Sequence, residues 1–242
     1  MGEPVVSREC GVDYGTGQVL DIYVPGTTQG SVAVLLWHGS GANERDVLEP
    51  LARRIALAGV GVIAPDWSVE DGADGRHDLA LSLSFAQNEL ERFMVVDRIV
   101  LAGWSLGASA GLDVVLRPGI VGGWRPAAFV GISGGYQGSP FAREGRGEFS
   151  SDPTVPLLLL HGSADEVVPV ERSRITLERL REEGWRVTLL EVPTDHAGAI
   201  GTVYDSVRHR CVPAVDSLRL EVLATTATMI VEFALTESAG TV

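Results

Sequence analysis

Cysteine is scarce in this chain of 242 residues, which has only Cys10 and Cys211. Two thiols so far apart in sequence make no disulfide framework, and both are expected to be unpaired and buried. Positive charge is also short. There are 19 Lys and Arg against 32 Asp and Glu, a formal net charge of -13. Nucleic acid and anionic membrane surfaces would be repelled, so neither is an expected partner. No apolar run reaches the length of a membrane span. Met1-Gly2-Glu3-Pro4 lacks the basic and apolar regions of a secretory leader, so a cytoplasmic location is expected. Internal repeats and linker-like stretches are missing, which favours one domain over residues 1–242. A chain this long can bury roughly three quarters of its unfolded surface, so it needs no metal to fold.

What the chain does have is an alternation of apolar strands and amphipathic helices. Val19 to Val24 reads as a strand pairing back across Gly15-Thr16-Gly17 in an antiparallel hairpin at a sheet edge. Continuous apolar runs at 32–37, 60–65, 99–102, 128–132, 156–160 and 187–192 suit strands covered on both faces. Helices are expected at about 46–58, 77–92, 170–183 and 217–235, with another after Gly107 running on through Ala108, Ala110 and Leu112. In the helix at 46–58, Leu48, Leu51, Ala52 and Ile55 face the core; in that at 170–183, Ile175, Leu177 and Leu180 do. Residues 137–153, rich in Gly, Ser and charge, read as a mobile surface loop, and 198–216 as an irregular stretch. Strands alternating with helices imply right-handed crossovers and a doubly wound, mainly parallel sheet. The glycine and polar clusters at His38 to Gly41, Ser105, Ser133 to Gly135, Asp165 and His196 all follow strands. Sites in such sheets lie at those carboxyl ends.

The stretch from Arg98 to Leu116 concentrates the chemistry. A buried strand runs into Gly103-Trp104-Ser105-Leu106-Gly107 and then into a helix of small residues. A turn this tight strains the backbone of Ser105 and leaves its hydroxyl at a helix start, where unpaired N–H groups suit negative charge. A serine hydroxyl needs a base to take its proton. Among five histidines, His196 sits after the last strand beside small neighbours that let it approach Ser105. His209 lies among cations, and His77 lies near a helix start. Such a base needs a carboxylate to fix its tautomer, and Asp165 follows the preceding strand, with Glu166 its nearest rival.

The order Ser, Asp, His, the turn at 103–107 and the segment His161 to Pro169 resemble the α/β-hydrolase family. The last is similar to the HGxxDxxVP segment of its dienelactone-hydrolase, carboxylesterase and acyl-protein-thioesterase branches. The resemblance implies an α/β-hydrolase fold and a catalytic triad of Ser105, Asp165 and His196. Many dienelactone hydrolases carry a cysteine nucleophile, so Ser105 favours general ester hydrolysis. An oxyanion hole needs two N–H donors. Leu106 supplies one; resemblance to HGxG-type loops assigns the other to Ser40, with Gly39 and Gly41 as alternatives. His38 and His161 are expected to order their own turns. Trp37, Trp67, Trp104 and Tyr136, near strand ends, are candidates for an apolar pocket. The short connection after Ile132 implies no large lid domain, and 198–216 is long enough to cover the site beside His196.

The expected activity is a serine esterase acting on a small-molecule ester of short or medium acyl, or aryl, type, with no cofactor and no metal, as a monomer or homodimer. A thioesterase acting on acyl-CoA or an acyl carrier is the alternative. It would need a local basic patch, for which Arg143, Arg146, Arg172 and Arg174 are candidates. A homologue that binds ligands without reaction is the third possibility.

Overall fold

The computed structural model describes residues 5–15, 17–69, 75–143 and 153–237. Eight strands form one sheet in the order β1-β2-β4-β3-β5-β6-β7-β8. Its first members are β1 (Val6–Gly15), β2 (Gln18–Pro25), β3 (Val32–Trp37) and β4 (Gly61–Pro65). The rest are β5 (Arg98–Trp104), β6 (Ala128–Ile132), β7 (Leu157–Gly162) and β8 (Val187–Val192). The β1–β2 hairpin is antiparallel and pairs antiparallel to β4, while β3 to β8 run parallel to their neighbours. The hairpin therefore forms the sheet edge anticipated from the Gly15-Thr16-Gly17 turn and the Val19 to Val24 run.

Five helices cover the two faces. One face buries Leu79 and Leu83 of α2 (Arg76–Asn88), Ala110 and Leu112 of α3 (Leu106–Leu116), and Leu180 of α4 (Glu171–Glu182). The other buries Leu51 and Ile55 of α1 (Glu49–Leu57) with Leu223 and Ile230 of α5 (Ser217–Glu237). Strands β3, β4, β6 and β7 are buried at every position, which is why they read as unbroken apolar runs.

The stretch 198–216 is not irregular. It holds a two-stranded antiparallel hairpin, β9 (Thr202–Asp205) with β10 (Arg210–Pro213). In α4, Ser173, Thr176 and Leu180 face inward, Leu177 is half-buried, and Ile175 stands 61% exposed, contrary to expectation. The cause is local: Ser173 lies 2.6 Å from Nδ1 of the buried His161, which sets the helix's rotation. The two cysteines are free, but Cys10 is exposed on the edge strand and Cys211 only half-buried on β10, so the expectation of two buried thiols fails. Most of the expected mobile loop, 144–152, lies outside the described residues, as do the side chain of Arg143 and all of Arg146.

No helix among the described residues is long and apolar enough to cross a membrane. The chain passes from β3 to β4 on one side and returns to β5 on the other. That reversal opens a crevice beyond the ends of β3 and β5, between His38–Gly41 and Ser105.

Candidate functional site

Ser105 sits between β5 and α3 at φ 56°, ψ -117°, a conformation that costs a non-glycine residue roughly 1–3 kcal/mol. Its N–H donates to the Ile132 carbonyl on β6 at 2.8 Å, which pins the turn to the sheet. The flanking glycines are steric requirements. A Cβ on Gly103 would lie 2.3 Å from the backbone of Gly107, and one on Gly107 would lie 2.4 Å from the His38 carbonyl oxygen. Backbone thus meets backbone on both sides of the serine. Leu106 begins α3, so its N–H is one of the unpaired first-turn donors.

His196 and Asp165 reach the same end of the sheet from the loops after β8 and β7. His196 Nδ1 lies 2.7 Å from Asp165 Oδ2, and both residues are buried. Asp165 Oδ1 accepts the N–H groups of Val167 at 3.0 Å and Val168 at 2.8 Å. Burial would raise the Asp165 pKa, but hydrogen bonds with His161 and His196 and the Val168 N–H together hold it well below the usual carboxylate range. A carboxylate ionised near neutral pH favours an imidazole with its proton on Nδ1 and Nε2 open. Glu166, the rival, is exposed one residue away.

Trp104 locks the histidine loop. Its indole N–H donates to the His196 carbonyl at 3.1 Å, and the two rings stand 5.0 Å apart. The same indole packs on the turn after β3, since a Cβ on Gly39 would lie 3.1 Å from it. That turn is braced from the other side by His38. Its Nε2 accepts the Trp67 N–H at 3.2 Å, its Nδ1 lies 3.0 Å from the Gly39 carbonyl, and its ring stacks on Trp67 at 5.2 Å.

Ser105, His196, Trp104, Gly39, Ser40 and Gly41 line one cleft of about 720 Å³. Its far wall is the β9–β10 hairpin, which contributes Tyr204, His209, Arg210 and Cys211, together with Glu44, Glu166 and Asp195. Arg210 ties the hairpin to the segment after the 38–43 turn by a 2.6 Å ion pair with Asp46. The length of 198–216 signalled such a cover, but nothing in its sequence marked which residues would face inward.

No protein-family model matches the sequence, and no curated protein does. Similarity appears among solved structures. The esterase Est22 superposes with a TM-score of 0.70 at 14% identity, over 99% of this chain and 82% of that one. A truncated carbohydrate esterase from gut microbiota gives 0.67 at 16%, covering 99% of each chain. Est2, a thermophilic esterase from the Planctomycetes species Thermogutta terrifontis with propionate bound, gives 0.64 at 16%, over 96% of this chain and 95% of that one. The chain has the α/β-hydrolase fold.

Within this α/β-hydrolase fold the aromatic candidates divide. Trp104 lines the cleft, although only 5% exposed. Trp37 does not: it is fully buried, its N–H donating to Ser82 of α2 at 3.1 Å. Trp67 is fully buried behind His38. Tyr136 lies beside Gly131 and Gly134, against α3 and away from the cleft. All three sit near strand ends, but their side chains point into the layers between sheet and helices. Of the arginines considered for a basic patch, Arg174 is neutralised by Glu191 at 2.7 Å and Glu171 at 3.1 Å, and Arg172 bonds Gln137. No cluster of three or more His, Cys, Asp and Glu among the described residues could hold a metal ion.

Two expected results follow. First, Trp104→Phe keeps the ring but strands the buried His196 carbonyl; kcat falls by roughly 10- to 100-fold while KM changes less than about two-fold, as loss of positioning requires. Equal changes in both constants would assign Trp104 to substrate binding instead. Second, burial pushes the His38 pKa down to about 3. The unfolded chain, with histidine near 6.5, then binds the extra proton between those values. Stability from this group is complete above about pH 6.5 and is lost as pH falls toward 3, by roughly 4 kcal/mol over the window. Urea titrations from pH 7 to 4 should show a shallower loss in His38→Asn; an identical slope would contradict a neutral buried imidazole.

Proposed function

We propose that this chain is a serine hydrolase that cleaves carboxylic esters through an acyl-enzyme. The observation that carries the reading is the 2.7 Å contact of His196 with Asp165, opening on a cleft that also holds the strained Ser105. Ser105 Oγ attacks the ester carbonyl carbon, and its proton passes to His196 Nε2. The tetrahedral intermediate places its negative oxygen at the Leu106 and Ser40 N–H groups, with Gly39 and Gly41 in the same turn as further donors. One such donor is worth roughly 3–4 kcal/mol of barrier. The C–O bond to the alcohol breaks as His196 returns the proton to the leaving oxygen. Water then attacks the acyl-enzyme, giving up its proton to His196, and the carboxylic acid departs as Ser105 regains its own. Asp165 stays ionised and holds the imidazolium. Nucleophile, base and oxyanion donors all come from the chain, so the chemistry needs no cofactor.

The esterase neighbours support the same reaction class. A thioesterase acting on acyl-CoA fits less well, because Glu44 and Glu166 in the cleft wall oppose an anionic carrier. The test is steady-state hydrolysis of p-nitrophenyl esters from acetate to palmitate. Turnover should be highest on the short acyl chains, since Glu44, Glu166, Asp195 and Arg210 are among the side chains in the cleft wall. No turnover of any member would end the proposal, and a maximum at palmitate would contradict the short-chain preference.

A further inference from the structure

Resting on the esterase reading, we propose that His161 is a positioning residue of the reaction, sharing with His196 one oxygen of Asp165 and so limiting how tightly that carboxylate holds the base. His161 follows the apolar run Leu157–Leu160 in β7 and is fully buried. A buried imidazole must find partners, and here they fix its tautomer. Nε2 faces the Val168 carbonyl at 2.8 Å and Asp165 Oδ2 at 3.4 Å. A carbonyl and an ionised carboxylate only accept, so the ring carries a proton on Nε2. Nδ1 lies 2.6 Å from Ser173 Oγ, whose O–H donates to the lone pair there. Ser173 is itself fully buried on α4, at a position where packing alone asks for an apolar residue.

A brace between β7 and the turn at 165–168 needs only the Val168 carbonyl. The second contact falls on Oδ2, the oxygen that also takes the His196 N–H at 2.7 Å. Oδ1 is already occupied by the N–H groups of Val167 and Val168. Each donor to a carboxylate spreads its charge and weakens its hold on the next. The Nε2–H of His161 therefore draws on the charge that stabilises the His196 imidazolium, and a base less tightly held gives up its proton more readily. The titratable groups around His161 keep a constant charge between about pH 5 and 9. Burial pushes the Tyr136 hydroxyl, near Ser173, above its usual range. Arg174 holds the carboxyl of Glu191, opposite His161 on β8, below its own. Glu44, Glu166, Asp195, His209 and Arg210 line the cleft beside His196 and are common to every variant below, so they cancel in the comparison.

The test is the pH profile of kcat/KM for p-nitrophenyl acetate, whose acid limb reports deprotonation of His196. In His161→Leu, Oδ2 serves His196 alone and holds the imidazolium more tightly. The limb should move to higher pH by about half a unit, a loss of about three-fold in rate on the limb, with the alkaline plateau within about three-fold. His161→Gln keeps an N–H where Nε2 stands and should bring the limb back to within about 0.2 unit of the unaltered protein. Ser173→Ala removes only the donor to Nδ1, which weakens Nε2–H as a donor, and should move the limb the same way by about 0.3 unit. It carries the test if His161→Leu does not fold. A limb that stays in place in each of these two variants that folds, with rates lowered evenly across pH, would reduce His161 to a structural brace and overturn the proposal. A move to lower pH, or one of equal size in His161→Gln, would overturn it as well. Each of these results leaves the esterase reading intact, whereas absence of hydrolysis by the unaltered protein would remove that reading and this one with it.

Discussion

Replacing Ser105 by alanine lowers ester turnover by about 10⁴- to 10⁶-fold and leaves the fold in place. The size of the loss follows from how the parts act together. His196 has nothing to activate without the hydroxyl, and water has no comparable attachment beside the oxyanion donors. On the proposed mechanism, residual rate comes only from binding and from the Leu106 and Ser40 amides. Stability should not suffer, because Ser105 is half-buried and its backbone is already strained at φ 56°. Ser105→Gly should go further and raise stability by about 1 kcal/mol, since glycine adopts that φ freely. Activity lost with stability gained is the signature of a residue held against its preference for chemistry. Ser105→Ala with more than a tenth of the original turnover would place the nucleophile elsewhere.

Gly107→Ala should be among the most destabilising single methyl additions in the described chain. The added carbon would lie 2.4 Å from the His38 oxygen and 2.6 Å from the Trp37 oxygen, and both are backbone atoms at the end of a central strand. Neither can swing aside as a side chain would. Helix α3 must back away from β3, or the 38–43 turn must move. A cost of about 3 kcal/mol or more is expected, a fall in Tm of roughly 6–12 °C for a chain of this length. The relevant control is Gly119→Ala, where a Cβ would meet nothing within 4 Å and the change should stay within about 0.5 kcal/mol. If Gly107→Ala melts with the unaltered protein, the close approach of α3 to β3 is not as described. The same substitution should cost activity even where folding survives, because the turn that it displaces carries the proposed oxyanion donors.

The tight turn at 103–107 and the alternation of strands with helices could be read in the residues because both are dictated locally. Runs such as Leu157–Leu160 are buried on two faces and so carry no polar residue. Gly103 and Gly107 are forced by contacts within five residues of Ser105 and with the adjacent strand. Asp165 and His196 could be singled out because each lies in the loop that follows a strand of the parallel set, Asp165 after β7 and His196 after β8. What was not legible depended on side-chain direction. Trp37 and Trp104 both end strands, in adjacent β3 and β5, yet only Trp104 reaches the cleft. Adjacent residues in a strand face opposite sides, so one residue of register decides between core and pocket. Helix α4 shows the same limit, since its inward face follows Ser173 and the buried His161 rather than the apolar Ile175. The hairpin β9–β10 escaped notice because its strands are only four residues each and carry Arg210 and Asp205. With Thr202 the one fully buried residue in the pair, such strands leave no alternation to read. Its bearing on the site comes from position after His196 and from the ion pair with Asp46, 164 residues away in sequence.

The most direct measurement is to map the adduct of a fluorophosphonate probe by peptide mass spectrometry. The account predicts a single modified peptide with the added mass on Ser105, its formation abolished by Ser105→Ala and slowed sharply by His196→Ala. Modification at another serine, or undiminished labelling of Ser105→Ala, would contradict it.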